Sequence, residues 1–250
     1  MNGLVTSTAV KPDYGIDAPA VLRNLFLFGA GCVVLGIVLP PVVHVGVVAL
    51  RTRPTFLWTG GFLLVEACLY LLYVKVGKFH HRDFMLSLYP WKGDERVLDV
   101  GCGRGLLLVG AAKRLTAGGH ATGIDIWSTE DLSGNAAEAT EQNLAIEGVV
   151  ARCTLISESA AEMSFADGSF DVVVSNLCLH NLYDREIRRA ALAHIVRVLR
   201  PGGVALLSDY KLTGEYADLL RGSGFTVEKR RGGMLTTFPP LTVVVARKPL

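Results

Sequence analysis

Apolar residues are distributed along the chain in two regimes. From Leu25 to Leu50 no residue carries a formal charge, a run of 26 positions against the roughly 20 that a helix needs to cross a bilayer. Pro40-Pro41 interrupts this run and predicts a kink. Arg51-Thr52-Arg53-Pro54-Thr55 then makes a short polar turn, and a second apolar stretch extends from Phe56 to Val76. So short a connection predicts a transmembrane helical hairpin, residues 21–79 in all. Residues 1–20 mix Ser, Thr, Pro, Gly and Asp without any period, which predicts a flexible tail.

Beyond residue 80 the pattern changes to short β-forming runs that alternate with helix-period stretches. His80 to Tyr89 reads as a short amphipathic helix joining the hairpin to this second region. Strands are predicted over Arg96 to Val100, Ala121 to Ile126, Ala151 to Ser157, Phe170 to Asn176 and Val204 to Asp209. Helices are predicted over Leu106 to Leu115, Ala136 to Glu147, Asp184 to Leu199 and Glu215 to Leu220. The fourth strand is continuously apolar, as expected of a strand covered on both faces. Phe225 to Arg230 and Leu241 to Ala246, joined by a non-helical segment, predict a final antiparallel strand. The α/β domain is thus residues 80–250. Arg185, Arg188, Arg189 and Arg197 read as the solvated face of the helix that carries them.

The chemistry concentrates where the first strand breaks into glycines. Arg96-Val97-Leu98-Asp99-Val100-Gly101-Cys102-Gly103-Arg104-Gly105 passes from a strand to a helix N-terminus, where ligands bind in α/β sheets. The dinucleotide fingerprint requires a glycine where Leu106 stands, so a nicotinamide site is disfavoured. Asp-x-Gly-x-Gly-x-Gly resembles the first motif of class I S-adenosylmethionine-dependent methyltransferases, of the type that includes ubiquinone and menaquinone methyltransferases. Asp125, at the end of the second strand, matches the second motif. Phe170-Asp171 with its strand and Leu199-Arg200-Pro201-Gly202-Gly203 match in the same order, so the resemblance covers about residues 80–248.

The resemblance implies a Rossmann-like seven-stranded methyltransferase sheet in the order 3-2-1-4-5-7-6, with S-adenosyl-L-methionine as cofactor. The cofactor residues it implies are Asp99, Gly101, Cys102, Gly103, Gly105, Asp125, Ile126, Trp127, Ser159, Ala160 and Asn176. Asp125 would take the ribose hydroxyls, and Trp127 would flank the adenine or form an apolar lid. In Glu158-Ser159-Ala160 the family's acidic position is held by Ser159, so Ser159 or the adjacent Glu158 would meet the adenine amine. Leu177 to Leu182 resembles the family's loop near the transferred methyl group. His180 there is the candidate general base, with a structural or cofactor-positioning role as the plainer reading, and Tyr210 is a weaker candidate base.

Composition sharpens the two-part picture. Half of the residues are apolar, the mean hydropathy is +0.38, and the net charge of +2 argues against a strongly basic nucleic-acid binder. Seven of the 25 basic residues and three of the 23 acidic ones lie in residues 1–82, leaving eighteen against twenty for the rest. Lys11, Arg23, Lys75, Lys78 and Arg82 outnumber Arg51 and Arg53 of the turn, which predicts an integral membrane protein with its catalytic domain and both termini cytoplasmic. Trp58 near one boundary and Tyr70 and Tyr73 near the other fit interfacial aromatic belts. A signal peptide is the rival reading, but the run is too long for a signal core, and a fully buried soluble helix pair is a second alternative. Glu66 in the second span and His44 in the first differ in depth by roughly 6 Å, which makes them candidate partners.

The five cysteines show no Cys-x-x-Cys spacing and predict reduced thiols without a metal site. The function that follows is membrane-anchored methyl transfer from S-adenosylmethionine to a lipophilic small molecule such as a quinone, an isoprenoid or a lipid head group. The competing reading is a catalytically silent methyltransferase-like domain acting as a membrane scaffold.

Overall fold

The computed structural model describes residues 11–233 and 237–250. Residues 1–10 of the expected tail lie outside the described residues. Helix α1 (Pro19–Val38) is followed by a two-stranded antiparallel hairpin, β1 (Val43–Val45) and β2 (Val48–Leu50), and then by helix α2 (Thr52–Leu72). One π-helical turn, Tyr73–Gly77, carries α2 into α3 (Lys78–Ser87).

The expected first span is therefore shorter than its apolar run. The helix ends at Val38 because neither Pro40 nor Pro41 can donate to the preceding turn, and Leu39 is already extended. Twenty helical residues remain, roughly 30 Å and about the thickness of a hydrocarbon core. His44 consequently sits in β1, beyond the start of α2, whereas Glu66 lies 14 residues into that helix, roughly 21 Å along its axis. The two are not brought together.

Glycines let α1 and α2 approach closely. A Cβ on Gly60 would lie 2.7 Å from Gly29 O, and one on Gly36 would lie 2.9 Å from the Leu57 side chain. Small residues of this kind serve helix contact in membranes. Away from that seam Phe28, Ile37, Trp58, Phe62 and Val65 are exposed. Both helices are long and apolar enough to cross a membrane, and no more than 28% of the residues in their most apolar windows are buried.

The α/β domain alternates β3 (Arg96–Val100), α4 (Leu106–Ala112), β4 (His120–Asp125), α5 (Ala137–Ile146), β5 (Cys153–Ser157), β6 (Phe170–Asn176), α6 (Arg185–Val198), β7 (Leu199–Asp209), α7 (Thr213–Gly222), β8 (Thr226–Arg231) and β9 (Thr242–Arg247). The sheet order is β5-β4-β3-β6-β7-β9-β8, with β9 antiparallel to both of its neighbours. Numbered within the domain this is 3-2-1-4-5-7-6, the expected Rossmann-like order. Alternation along each strand supplies two cores. Val97, Val172 and Val174 face α3 and α4, while Leu98, Val100 and Val173 face α6 and α7. Arg188 departs from the expected solvated face: it is buried, donating to Leu182 O at 2.6 Å and to Glu215 at 3.0 Å.

Residues 11–18, read from sequence as part of a mobile tail, lie packed across the domain. Asp13 exchanges two hydrogen bonds with Asn143, Ile16 exchanges two with Ser133, and Ala18 N donates to Asp131 O. Tyr14 is buried with its hydroxyl on Glu147. Lys78, 4% exposed, ties this arm to the hairpin through Tyr14 O, Gly15 O and the Asp17 carboxylate.

Candidate active site

The C-terminal ends of β3, β4, β6 and β7 open into one cleft of about 560 Å³. Its first wall is the glycine turn. Gly101 N and Cys102 N both donate to Ile124 O, folding the turn against β4. A Cβ on Gly101 would collide with Cys178 Sγ, so the glycine is required by the loop after β6 as much as by any ligand. Gly103 adopts φ +51 and donates its N–H to Asp125 Oδ2 at 2.8 Å, which links the turn to the acid at the end of β4. Asp125 Oδ1 accepts from Trp127 N at 2.6 Å and Asn135 Nδ2 at 3.2 Å. That carboxylate is thus fixed by three donors.

Asp99 is buried beside it, and its Oδ2 has no hydrogen-bond partner among the described residues. Burial and then the charge of Asp125 push its pKa up to about 8, so it is mainly protonated at neutral pH. Beyond β5, Glu158 Oε1 accepts from Ser164 N at 2.8 Å while Oε2 is buried without a partner among the described residues. Ser159 Oγ accepts from Ala161 N in its own turn.

Of the residues read from sequence, Asp99, Gly101, Cys102, Gly103, Asp125, Ile126, Ser159, Ala160, Asn176 and His180 line the cleft. Gly105 and Trp127 do not. Gly105 opens α4 in a left-handed conformation, and its α-carbon faces Thr140. Trp127 turns its indole toward β5, donating to Ser157 Oγ at 2.7 Å.

His180 stands on a 3-10 turn, Leu179–Asn181, just beyond β6. Its Nδ1 is 2.9 Å from Asp209 Oδ1, and its backbone N–H donates to Asp209 Oδ2 at 3.3 Å. Asp209, the last residue of β7, is 1% exposed and also accepts from Tyr210 N and the Tyr216 hydroxyl. An Nδ1–H held by a carboxylate leaves the lone pair on Nε2. The Tyr210 ring meets the imidazole edge-on at 4.8 Å. Sequence reading missed Asp209, although an acid at the C-terminal end of the fifth domain strand faces the same crevice as Asp99 and Asp125. It also missed the wall opposite, where Tyr14, Asp17 and Val21 of the arm and α1, with Tyr70 and Tyr73 of the hairpin, line the same cleft.

Residues 97–203 match the family model described as a methyltransferase domain. The chain is 38% identical over 119 residues to a nocamycin O-methyltransferase of Saccharothrix syringae, covering 48% of this chain and 39% of that protein. It is 29% identical over 129 residues to a ubiquinone/menaquinone biosynthesis C-methyltransferase of Vibrio campbellii, covering 52% and 46%. The chain spans less than half the length of either relative. Among solved structures, the [4+2]-cyclase SpnF aligns with a TM-score of 0.57 at 18% identity, over 69% of this chain and 82% of that one. A SAM-dependent methyltransferase from Aquifex aeolicus aligns with a TM-score of 0.52 at 17% identity, over 66% and 88%. At these identities the two structures speak for the fold alone. Strand order, motif match and relatives together make the α/β domain similar to class I S-adenosylmethionine-dependent methyltransferases, with S-adenosylmethionine as the cofactor that likeness supports.

Proposed function

We propose that the protein is a membrane-anchored methyltransferase that acts on a lipophilic small molecule. The observation that carries this reading is the single cleft running from the glycine turn, past His180, to the base of two exposed apolar helices. The polar end of that cleft suits the cofactor. Glu158 Oε2, buried and without a partner among the described residues, would accept from the adenine amine, Asp99, protonated in the free protein, would ionise against the cofactor's ammonium, and Asp125 would take the ribose hydroxyls. Bound there, the cofactor supplies an electrophilic sulfonium methyl group.

The chain's own residues then have two tasks. His180 Nε2 takes the proton of an oxygen or carbon acceptor, and Asp209 keeps the imidazole in the accepting tautomer and stabilises its charged form. The arm, pinned at Lys78, covers the cofactor side and excludes water. The α1–α2 hairpin holds the domain at the membrane. The excess of Lys and Arg at its domain-side end supports a cytoplasmic domain, and the quinone-biosynthesis name of the Vibrio relative supports a lipophilic acceptor.

The test is incubation of the full chain in liposomes with labelled methyl donor and a lipid extract, followed by identification of the labelled product. Transfer to a lipid-soluble product is expected. Tight cofactor binding without transfer to any extract would instead favour the scaffold reading.

A further inference from the structure

We infer that the hairpin does more than anchor: the domain-side ends of α1 and α2, with the loop after β6, form the acceptor half of the cleft, built for a hydroxyl-bearing head with a long apolar tail. The term acceptor rests on the methyl-transfer reading above. The site itself rests on packing alone.

The cleft has two chemically distinct ends. The cofactor end is walled by carboxyl groups, whereas the other end is walled by Val21, Tyr70, Leu177, Pro239 and Leu241. Tyr70 and Leu241 also belong to a buried apolar cluster with Leu22, Ala67 and Val74, against which Leu177 packs. Hairpin and domain therefore share one apolar lining at this point, from which an apolar tail would lead toward the exposed helix faces. Tyr70 donates its hydroxyl to Asp17 O at 2.6 Å, which fixes its ring in that wall.

The head group is indicated by a buried polar cluster beside the same end. The π-helical turn that begins at Tyr73 interrupts the regular helix there, and such turns are rare and frequent at functional sites. Tyr73 is 3% exposed and lines the cleft, and its hydroxyl meets the Asn176 side chain without a well-formed hydrogen bond to any described residue. Neighbouring Asn176 Oδ1, at the end of β6, and His81 Nδ1 also lack a well-formed hydrogen bond among the described residues, although the Asn176 side chain lies beside both Tyr73 and His81. In this cluster His81 Nε2 is hydrogen-bonded to Ser208 Oγ at 2.7 Å. Buried polar groups are left unmet at a cost in stability, and one ligand hydroxyl satisfies two of them. It donates to Asn176 Oδ1 and accepts from Tyr73.

The experiment uses the full chain in phosphatidylcholine vesicles with S-adenosylhomocysteine and a probe of this chemistry, a hexadecylphenol with a diazirine on the first carbons of its tail. After irradiation, labelled residues are mapped by mass spectrometry. Labelling at Val21, Tyr70 and Leu177 is expected, suppressed by excess unlabelled hexadecylphenol and not by hexadecane. Tyr73→Phe, which removes one hydroxyl, should lower that labelling at least several-fold with cofactor affinity unaltered. Labelling confined to the outward Phe28, Phe62 and Val65, or labelling that the phenol does not compete, would overturn the site. Cleft labelling unaffected by Tyr73→Phe would overturn the head-group assignment. Cleft labelling in a protein that methylates nothing would uphold this site while removing the methyl-transfer reading, and methyl transfer without cleft labelling would do the reverse.

Discussion

His180 Nδ1 and Asp209 Oδ1 stand 2.9 Å apart across the gap between the loop after β6 and the end of β7. The two residues are 29 positions apart in sequence, and only the parallel pairing of β6 with β7 makes them neighbours. An exposed His–Asp contact would contribute little, but here the carboxylate is 1% exposed and saturated by donors, so the imidazole orientation is set.

This pairing predicts how two variants behave. His180→Ala should lower the single-turnover rate by about 10²-fold if the imidazole is the general base. Asp209→Asn should cause a loss of similar size, because an amide can present a donor to Nδ1 and favour the wrong tautomer. Cofactor affinity measured by calorimetry should stay near that of the wild type in both. Weakened cofactor binding with an unaltered single-turnover rate would make His180 a positioning residue instead.

Asp99 predicts a pH dependence. Its folded pKa of about 8 lies above the unfolded value of about 3.9, so the folded state binds the extra proton between those limits. The stability it contributes is full below about pH 4 and is lost as pH rises through about 8. Asp99→Asn lacks this term. The urea midpoint of the wild type should therefore fall relative to that of the variant as pH is raised from 4 to 8. Parallel midpoints across that window would mean that Asp99 is ionised in the folded free protein.

The cofactor loops predict a contrast between neighbours. Gly103→Val places a branched side chain at φ +51 and should abolish binding. Asp125→Ala should weaken binding by about 10²-fold through the loss of charge-assisted hydrogen bonds. Glu158→Gln should weaken it and Ser159→Ala should not, because Ser159 Oγ is engaged by Ala161 N whereas Glu158 Oε2 is free. Unchanged affinity in a folded Gly103→Val or Asp125→Ala variant would put the cofactor elsewhere.

Features of the site legible in the sequence were those encoded by local pattern. The glycine turn, Asp125 and the parallel strand runs each depend on a few consecutive residues and could be read directly, whereas strand order and the cofactor residues followed from the family resemblance that those motifs carry. The arm could not. Its contacts from Asp13 to Asn143 and from Ile16 to Ser133 join residues more than a hundred positions apart, and a segment short of large apolar residues gives no periodic signal. The orientation of Trp127 was not legible for a related reason: adjacency to Asp125 left an adenine flank and an apolar lid open, and the partner of its indole hydrogen bond, Ser157, comes from the next strand. Pro40-Pro41 was read as a kink because the run of uncharged residues continues to Leu50, whereas α1 ends at Val38 just before it.

Removing residues 1–77 separates the contributions of anchor, arm and domain. The sheet and nearly all of both large core clusters lie beyond that cut, Tyr14 being the exception, so a chain beginning at Lys78 should fold. It loses the arm, however, and with it the three acceptors of the Lys78 ammonium and the cover over the glycine turn. The Asp13–Arg104 ion pair is mostly exposed on the Asp13 side and its loss matters little in itself. Cofactor binding should nonetheless weaken, because Tyr14, Asp17 and Val21 no longer wall the cleft. Turnover of a long-chain acceptor in liposomes should fall much further than cofactor affinity, since confinement to the membrane raises the effective concentration of a lipophilic substrate and the apolar end of the cleft is lost as well. Restoring residues 11–18 as a separate peptide should recover part of the affinity and none of the liposome turnover. Equal liposome activity of the truncated and full-length chains would refute both roles of the hairpin, and failure of the truncated chain to fold would show that the hairpin belongs to the domain's core.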